Sequence, residues 1–256
     1  MESKLKIGDR IVEQKDIISK LAGYQMIPQL AKEIIIETAI APIECTPEEE
    51  KLALQQFCQQ NQIPNPEQLE VWRQKHWMSP EQLKARILQN LKLAKFKQNT
   101  WGPQLESEFL QHKTRLDRVI YSLIRTKDPG IAQELYFRLL DEENSFSDLA
   151  KTYSQGPEAN TGGLVGPVEI GALHPQLGKI LVNNKPGEII PPLALGEWMV
   201  IARLDKTIPA QFDEGTSKRL LEEKFQAWLL KQLQEQVSLE TPTESNANSQ
   251  ESSEQI

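Results

Sequence analysis

Histidine and cysteine are scarce in this chain of 256 residues, which has three of the first and two of the second. His76, His112 and His174 stand far from one another and from both cysteines, so no zinc-type ligand cluster can be read. Cys45 and Cys58 leave a disulfide and two free thiols open; a reducing compartment favours the thiols. Basic stretches are missing as well: 29 Lys and Arg face 36 Asp and Glu, for a net charge of −7. Phosphate neutralisation needs clustered cations, so a nucleic-acid partner is disfavoured and none is expected. Long apolar runs are absent too. The longest candidate, Ile34 to Ile43, is broken by Glu37 and Pro42 and falls short of the roughly 18–20 residues that span a bilayer. The N-terminal MESKLKIGDRIVEQKD lacks the apolar stretch of a secretory signal, which predicts a cytoplasmic protein, or a periplasmic one if a leader has been removed. Gly162-Gly163 lacks the lysine and the strand–loop–helix setting of a phosphate cradle. No Ser/His/Asp or Cys/His set can be picked out, and no cofactor is expected.

What is present is a helical first half. Three helix starts share one local grammar: Thr46-Pro47-Glu48-Glu49, Asn65-Pro66-Glu67-Gln68 and Ser79-Pro80-Glu81-Gln82. A short polar residue caps, proline takes the first helical position where its missing N–H costs nothing, and Glu or Gln reaches back from the third. Their spacings of about nineteen and fourteen residues are unequal, so they do not make a solenoid repeat. Apolar stripes follow each cap; Leu83, Ile87, Leu91 and Ala94 are the most regular. Ile11 to Leu21 and Gln29 to Ala41 read as two further helices separated by Pro28. Leu105 to His112 reads as another, after a break at Trp101-Gly102-Pro103. Such helices must pack together to bury their stripes.

The pattern changes near Asp117. Arg118-Val119-Ile120-Tyr121-Ser122-Leu123-Ile124 is rich in β-branched and aromatic residues, as strands are. Asp128-Pro129 opens a helix, and Phe146 to Tyr153 makes a shorter one. A Gly- and Pro-dense loop, Gln155 to Gly163, leads to an apolar piece, Leu164 to Val168, and then a short helix within Leu173 to Val182. Lys185-Pro186-Gly187-Glu188 is a turn, and Trp198 to Leu204 a final buried strand. The order strand, helix, helix, strand, helix, strand predicts a small α+β domain. A long helix from Phe212 to Gln236 carries Leu221, Phe225, Trp228 and Leu229 on one face. Beyond Ser238 almost nothing is apolar, and four glutamates predict a disordered acidic tail.

Phe146-Ser147-Asp148-Leu149-Ala150-Lys151-Thr152-Tyr153-Ser154 resembles the "F-x-x-L-A-x-x-Y-S" helix of the parvulin-type (PpiC-like) peptidyl-prolyl isomerases. Gly162-Gly163 resembles the glycine pair after that family's active-site loop. Gly171 to Leu177 and Lys185-Pro186-Gly187-Glu188-Ile189 resemble its next helix and its "K-P-G-E-V" turn, and Pro192 the proline of its next strand. The pieces follow one another without insertion, over residues 116 to 206. The helical half resembles, more loosely, the SurA-like chaperone arrangement, and the whole chain looks like isomerases that accompany export systems in some bacteria, cyanobacteria in particular. The resemblance implies an α+β fold: a helical chaperone-like domain at 1–115, a parvulin-like small antiparallel sheet with covering helices at 116–207, a long C-terminal helix at 208–237 docking on the helical domain, and the tail at 238–256.

The resemblance also implies where chemistry would lie, and there the sequence departs from the family. The two usual histidine positions are Tyr121 and Trp198. The Asp/Cys pair is Gln155 and Gly156, with Ser154 beside it as a polar group. The pocket Met and Phe positions are Leu173 and Leu177, and the Asp that follows Gly-Gly is Leu164. Val182 completes the expected substrate surface. Tyr121 can donate and accept a hydrogen bond, whereas Trp198 can only donate. The residues leave two readings open: an isomerase working by apolar desolvation and a Tyr121 donor, or a module that binds proline-containing segments without useful catalysis. Arg125-Thr126-Lys127-Asp128 is too short for a phosphate-reading loop, so no preference for phosphorylated substrates is expected. Trp72 and Trp77 flank Arg73-Gln74-Lys75-His76. Either both rings are partly buried anchors or they form a client-contact surface. The expected partner is an unfolded or proline-containing polypeptide, one handled by a protein export system.

Overall fold

The computed structural model describes residues 5–238. The tail expected at 238–256 lies outside these residues except for Ser238. The chain divides into two units, one formed by residues 1–103 with 218–256 and the other by residues 104–217.

The first unit opens with a hairpin of β1 (Leu5–Ile7) and β2 (Arg10–Val12), in which Leu5 pairs with Val12 and Ile7 with Arg10. Ile11 and Val12 are therefore strand residues, not the start of a helix. They sit beside Gly8, whose φ of +59° lets the chain reverse within two residues. Helices α1 (Gln14–Gly23), α2 (Ile27–Ile40), α3 (Pro47–Gln60) and α4 (Pro66–Lys75) follow. The three predicted caps form. Thr46 Oγ accepts from the Glu49 N–H while the Glu49 carboxylate accepts from the Thr46 N–H. Asn65 accepts from the Gln68 N–H at 2.9 Å. Ser79 and Gln82 exchange the same pair of bonds as Thr46 and Glu49. Each cap contributes about 1 kcal/mol.

Helix α5 (Pro80–Leu116) runs for 37 residues without the break expected at Gly102-Pro103. Trp101, Leu105 and Phe109 recur at four-residue spacing; Leu105 and Phe109 are almost wholly buried, and Trp101 belongs to the helical core. Their burial outweighs the roughly 3 kcal/mol that an interior proline costs. Gly102 leaves room for the Gln98 amide, which would stand 2.4 Å from a Cβ there. The long helix α9 (Glu214–Gln236) joins this unit through its later turns. Phe225 and Leu229 are buried with Ile36 and Ile40, against Leu93, Phe96, Trp101 and Trp228. Lys97 lies 4.3 Å from the Phe225 ring centroid and pairs with Glu222.

The second unit is built on an antiparallel sheet of order β4-β3-β6-β5, from β3 (Arg118–Thr126), β4 (Leu164–Glu169), β5 (Ile189–Leu195) and β6 (Trp198–Ile208). Alternation along the central strands splits the core in two. On one face, Tyr121, Leu123, Val200, Ala202 and Leu204 pack against Leu177 and Leu181 of α8 (Pro175–Asn183). On the other, Ile124 and Ile201 pack against α6 (Pro129–Leu140) and α7 (Phe146–Tyr153). The edge strands are β4, with Pro167, and β5, with Pro191 and Pro192 at a register shift between Ile190 and Leu193. The central strands form over the β-branched runs that predict them, and β5 contains Pro192, which the resemblance gives to a further strand.

Candidate functional site

The glycine pair brings the loop after α7 into close contact with β3. A 3-10 turn, Pro157–Thr161, ends at Gly162 with φ +64°, and Gly163 follows at +87°. The Leu123 N–H donates to the Gly163 carbonyl at 2.8 Å. A Cβ on Gly163 would stand 2.9 Å from the Leu123 carbonyl and 3.0 Å from the Ala150 Cβ. Both glycines are thus required by backbone sign, and both are crowded, since a Cβ on Gly162 would stand 2.2 Å from Ser147 Oγ.

This closure draws the loop after α7 alongside β3. The Gln155 N–H donates to the Arg125 carbonyl at 2.9 Å, and the Gln155 side chain accepts from the Lys127 N–H at 3.2 Å. The Arg125 N–H donates to Ser154 Oγ at 3.0 Å. Ser154 in turn donates to Glu158 at 2.6 Å, and the Arg125 guanidinium donates to both Glu158 oxygens, through Nε at 2.8 Å. The Glu158 side chain is 2% exposed and that of Arg125 28%. Gly156 makes room for this fork, since a Cβ there would lie 2.1 Å from Arg125 Nε.

Burial works against ionising Glu158, but hydrogen bonds from Arg125 and Ser154 together hold its carboxyl below the usual carboxylate range. The hydrogen bond to Glu158 pushes Arg125 further up. Tyr121, 5% exposed, has its hydroxyl pKa raised first by burial and then by the Glu158 charge, with Arg125 opposing. Tyr121 is therefore neutral near pH 7 and Glu158 charged. Trp198 lies under two cations, with Arg125 5.8 Å and Lys127 4.9 Å from its ring centroid; Lys127 also pairs with Glu197.

Of the expected site residues, the structure brings Tyr121, Leu173, Leu177 and Trp198 to one apolar cluster, in which Leu177 is buried while Leu173 and Trp198 pack against it half-buried. It does not make Tyr121 and Trp198 a pair. Leu204 is the register partner of Tyr121, and Met199 that of Thr126. Trp198 therefore lies roughly 20 Å further along β6 than the residue facing Tyr121. Ser154 and Gln155 are engaged by Arg125, Glu158 and Lys127. Leu164 and Val182 are 53% and 44% exposed, outside the cluster. Arg125 and Glu158 were missed. Strand alternation places Arg125 on the face of Tyr121 and Leu123 and would have found it; Glu158 needs the 3-10 turn, which the loop's composition does not specify.

In the helical unit, Trp72 is half-buried, stacked on His76 at 3.8 Å and edge-on to Phe57 at 5.1 Å. Trp77 is 89% exposed, which overturns the anchor reading for that ring. It occupies the turn between α4 and α5 at φ +53°, a backbone conformation uncommon for a bulky residue.

A short antiparallel sheet, clasped by helices on both faces and closed by a Gly-Gly loop over an apolar cluster, defines a parvulin-like domain. Residues 125–206 match the family model of the rotamase, or PPIC-type PPIase, domain, about a third of the chain. Tyr121 precedes the matched stretch. The peptidylprolyl isomerase PrsA of Bacillus cereus is 18% identical, with a TM-score of 0.52 over 94% of this chain and 93% of that one, which shows the fold. PrsA of Bacillus anthracis is 19% identical, with a TM-score of 0.48 over 83% of this chain and 100% of its own. A structure of the SurA-like chaperones PEB4 and Cj1289 of Campylobacter jejuni is 15% identical, with a TM-score of 0.35 over 93% and 98%. No curated protein matches the chain. Among the described residues no helix is long and apolar enough to cross a membrane.

Proposed function

We propose that the chain is a prolyl isomerase and holding chaperone for unfolded polypeptides, including exported ones, and that its second unit acts on Xaa-Pro bonds with a rebuilt polar set. The observation that carries this is the Arg125–Glu158 fork, fixed on the Tyr121 face of the sheet with the guanidinium 5.8 Å from the Trp198 ring centroid.

A prolyl bond turns over a barrier of roughly 18–20 kcal/mol, and the amide must lose its resonance on the way. An apolar seat for the proline ring removes water from the bond. A donor that binds the twisted carbonyl more tightly than the planar one lowers the barrier. The guanidinium has N–H groups left over after Nε and one Nη are engaged by Glu158, and Tyr121 has a hydroxyl. No proton need be transferred. Rotation about an amide consumes no cofactor, so this work can be done in the cytoplasm or, behind a removed leader, in the periplasm.

A second reading, binding without catalysis, is favoured by one observation: Tyr121 and Trp198 do not meet. Exchange NMR on an Ala-Pro or Leu-Pro peptide separates the two. Accelerated exchange that falls in Leu173→Ala supports the isomerase. Shifted peptide signals without acceleration leave a binding module.

A further inference from the structure

The helical unit contains a cavity of about 880 Å³ between α2, α3, α4 and the first turns of α5. Trp72, edge-on to Phe57 and stacked on His76, is its aromatic wall. Trp77 also lines it, and carries two costs at one position. Its indole is 89% exposed, and its backbone sits at φ +53°, where bulky side chains are rarely found. A glycine in that turn would avoid both, so the ring is there for something other than packing within its own unit.

Glu33 and Glu37 face the same cavity from α2. They are four residues apart, and like charges at that spacing repel on a helix. Glu33 accepts amide hydrogen bonds from Gln29 at 2.8 Å and Gln89 at 3.0 Å. Among the described residues neither glutamate is within an ion pair. The other charged group lining the cavity is Arg86, which donates to Gln89 at 2.6 Å; His76 directs Nδ1 at the Trp72 carbonyl. Two carboxylates against one guanidinium leave the cavity acidic.

We infer that this cavity binds an extended stretch of unfolded polypeptide in which a Lys or Arg side chain lies beside an apolar one. The cation fits between the face of Trp77 and the Glu33–Glu37 pair, and relieves the repulsion between the two carboxylates. The apolar neighbour fits against Trp72 and Phe57. The inference rests on the chaperone half of the function proposed above, and concerns a site in the other unit from the prolyl chemistry.

The test is fluorescence anisotropy on the full chain with three labelled peptides of equal length, in which Leu alternates with Lys, Ser or Glu. The Leu/Lys peptide is expected to bind about tenfold tighter than Leu/Ser, and Leu/Glu weakest. Trp77→Ser and Glu37→Gln, both at exposed positions, should each weaken Leu/Lys binding about fivefold or more, while prolyl exchange is unchanged. Equal binding of the Lys and Ser peptides, or Lys-peptide binding that survives both substitutions, overturns the charge-selective site but keeps the chaperone reading. Binding of none of the three overturns both, and leaves the isomerase reading to the exchange experiment.

Discussion

Arg125 and Glu158, thirty-three residues apart, form a two-pronged ion pair on the sheet face that also carries Tyr121. The carboxylate is buried and the guanidinium is partly open, so the pair presents one side of a cation to solvent while its anion is sealed behind it. Fixed in this way, the guanidinium keeps its orientation without water having to reorganise around it.

Acid should loosen the second unit through this pair. The Glu158 carboxyl is held below its ordinary value, so it stabilises the fold above the unfolded carboxylate pKa of roughly 4.3 and loses that contribution as pH falls through the lower folded value. Thermal melts from pH 7 to pH 3 should show the melting temperature dropping below about pH 4. Glu158→Gln should start lower at neutral pH and show a shallower acid slope. Parallel slopes in the two proteins would assign the acid sensitivity elsewhere.

Two glycines with nearly the same backbone angle should respond differently to alanine. Gly163 has φ +87° and a carbonyl 2.9 Å from where a Cβ would stand; Gly187 has φ +88° and open space. Gly187→Ala should cost about 1 kcal/mol, the left-handed penalty alone. Gly163→Ala should cost about 2–4 kcal/mol, because crowding is added. Urea unfolding measures both, and equal costs would mean that the loop after α7 yields easily.

If the isomerase reading holds, its rate should be flat between about pH 7 and 9, because Glu158 titrates below this range and Tyr121 and Arg125 above it. Tyr121→Phe should lower turnover several-fold with little change in KM if the hydroxyl binds the twisted carbonyl. Unchanged turnover removes Tyr121 from the mechanism.

Phosphorylated Ser-Pro peptides should bind no tighter than unmodified ones. Arg125 is already matched by Glu158, and Lys127 by Glu197. Titration of both peptides by NMR checks this; a marked preference for the phosphopeptide would require these pairs to open.

Most of the second unit's outline was legible because it is written in local rules: the β-branched and aromatic run of β3, the Phe146 to Tyr153 helix, the glycine pair. The three proline-marked helix starts were legible for the same reason. The failures share a cause, since each depended on partners distant in sequence. Pro103 looks like a stop until the burial of Leu105 and Phe109 is known. Ile11 and Val12 fit a helical stripe until their pairing with Lys6 and Leu5 is seen. Tyr121 and Trp198 are the two histidine positions that the resemblance implies, and strand register, which a single sequence does not print, separates them. Glu158 reaches Arg125 only because a 3-10 turn carries it back.

The prolines of β4 and β5 have a meaning beyond local geometry. A proline has no N–H to offer, so both outer borders of the sheet are interrupted as templates for another strand. If the proposed chaperone function holds, the protein meets many extended segments ready to zip onto any open border. With both borders interrupted, this sheet is poorly suited to seed a growing cross-β assembly. On the chaperone reading proposed above, a client would be held by its side chains and not by strand addition.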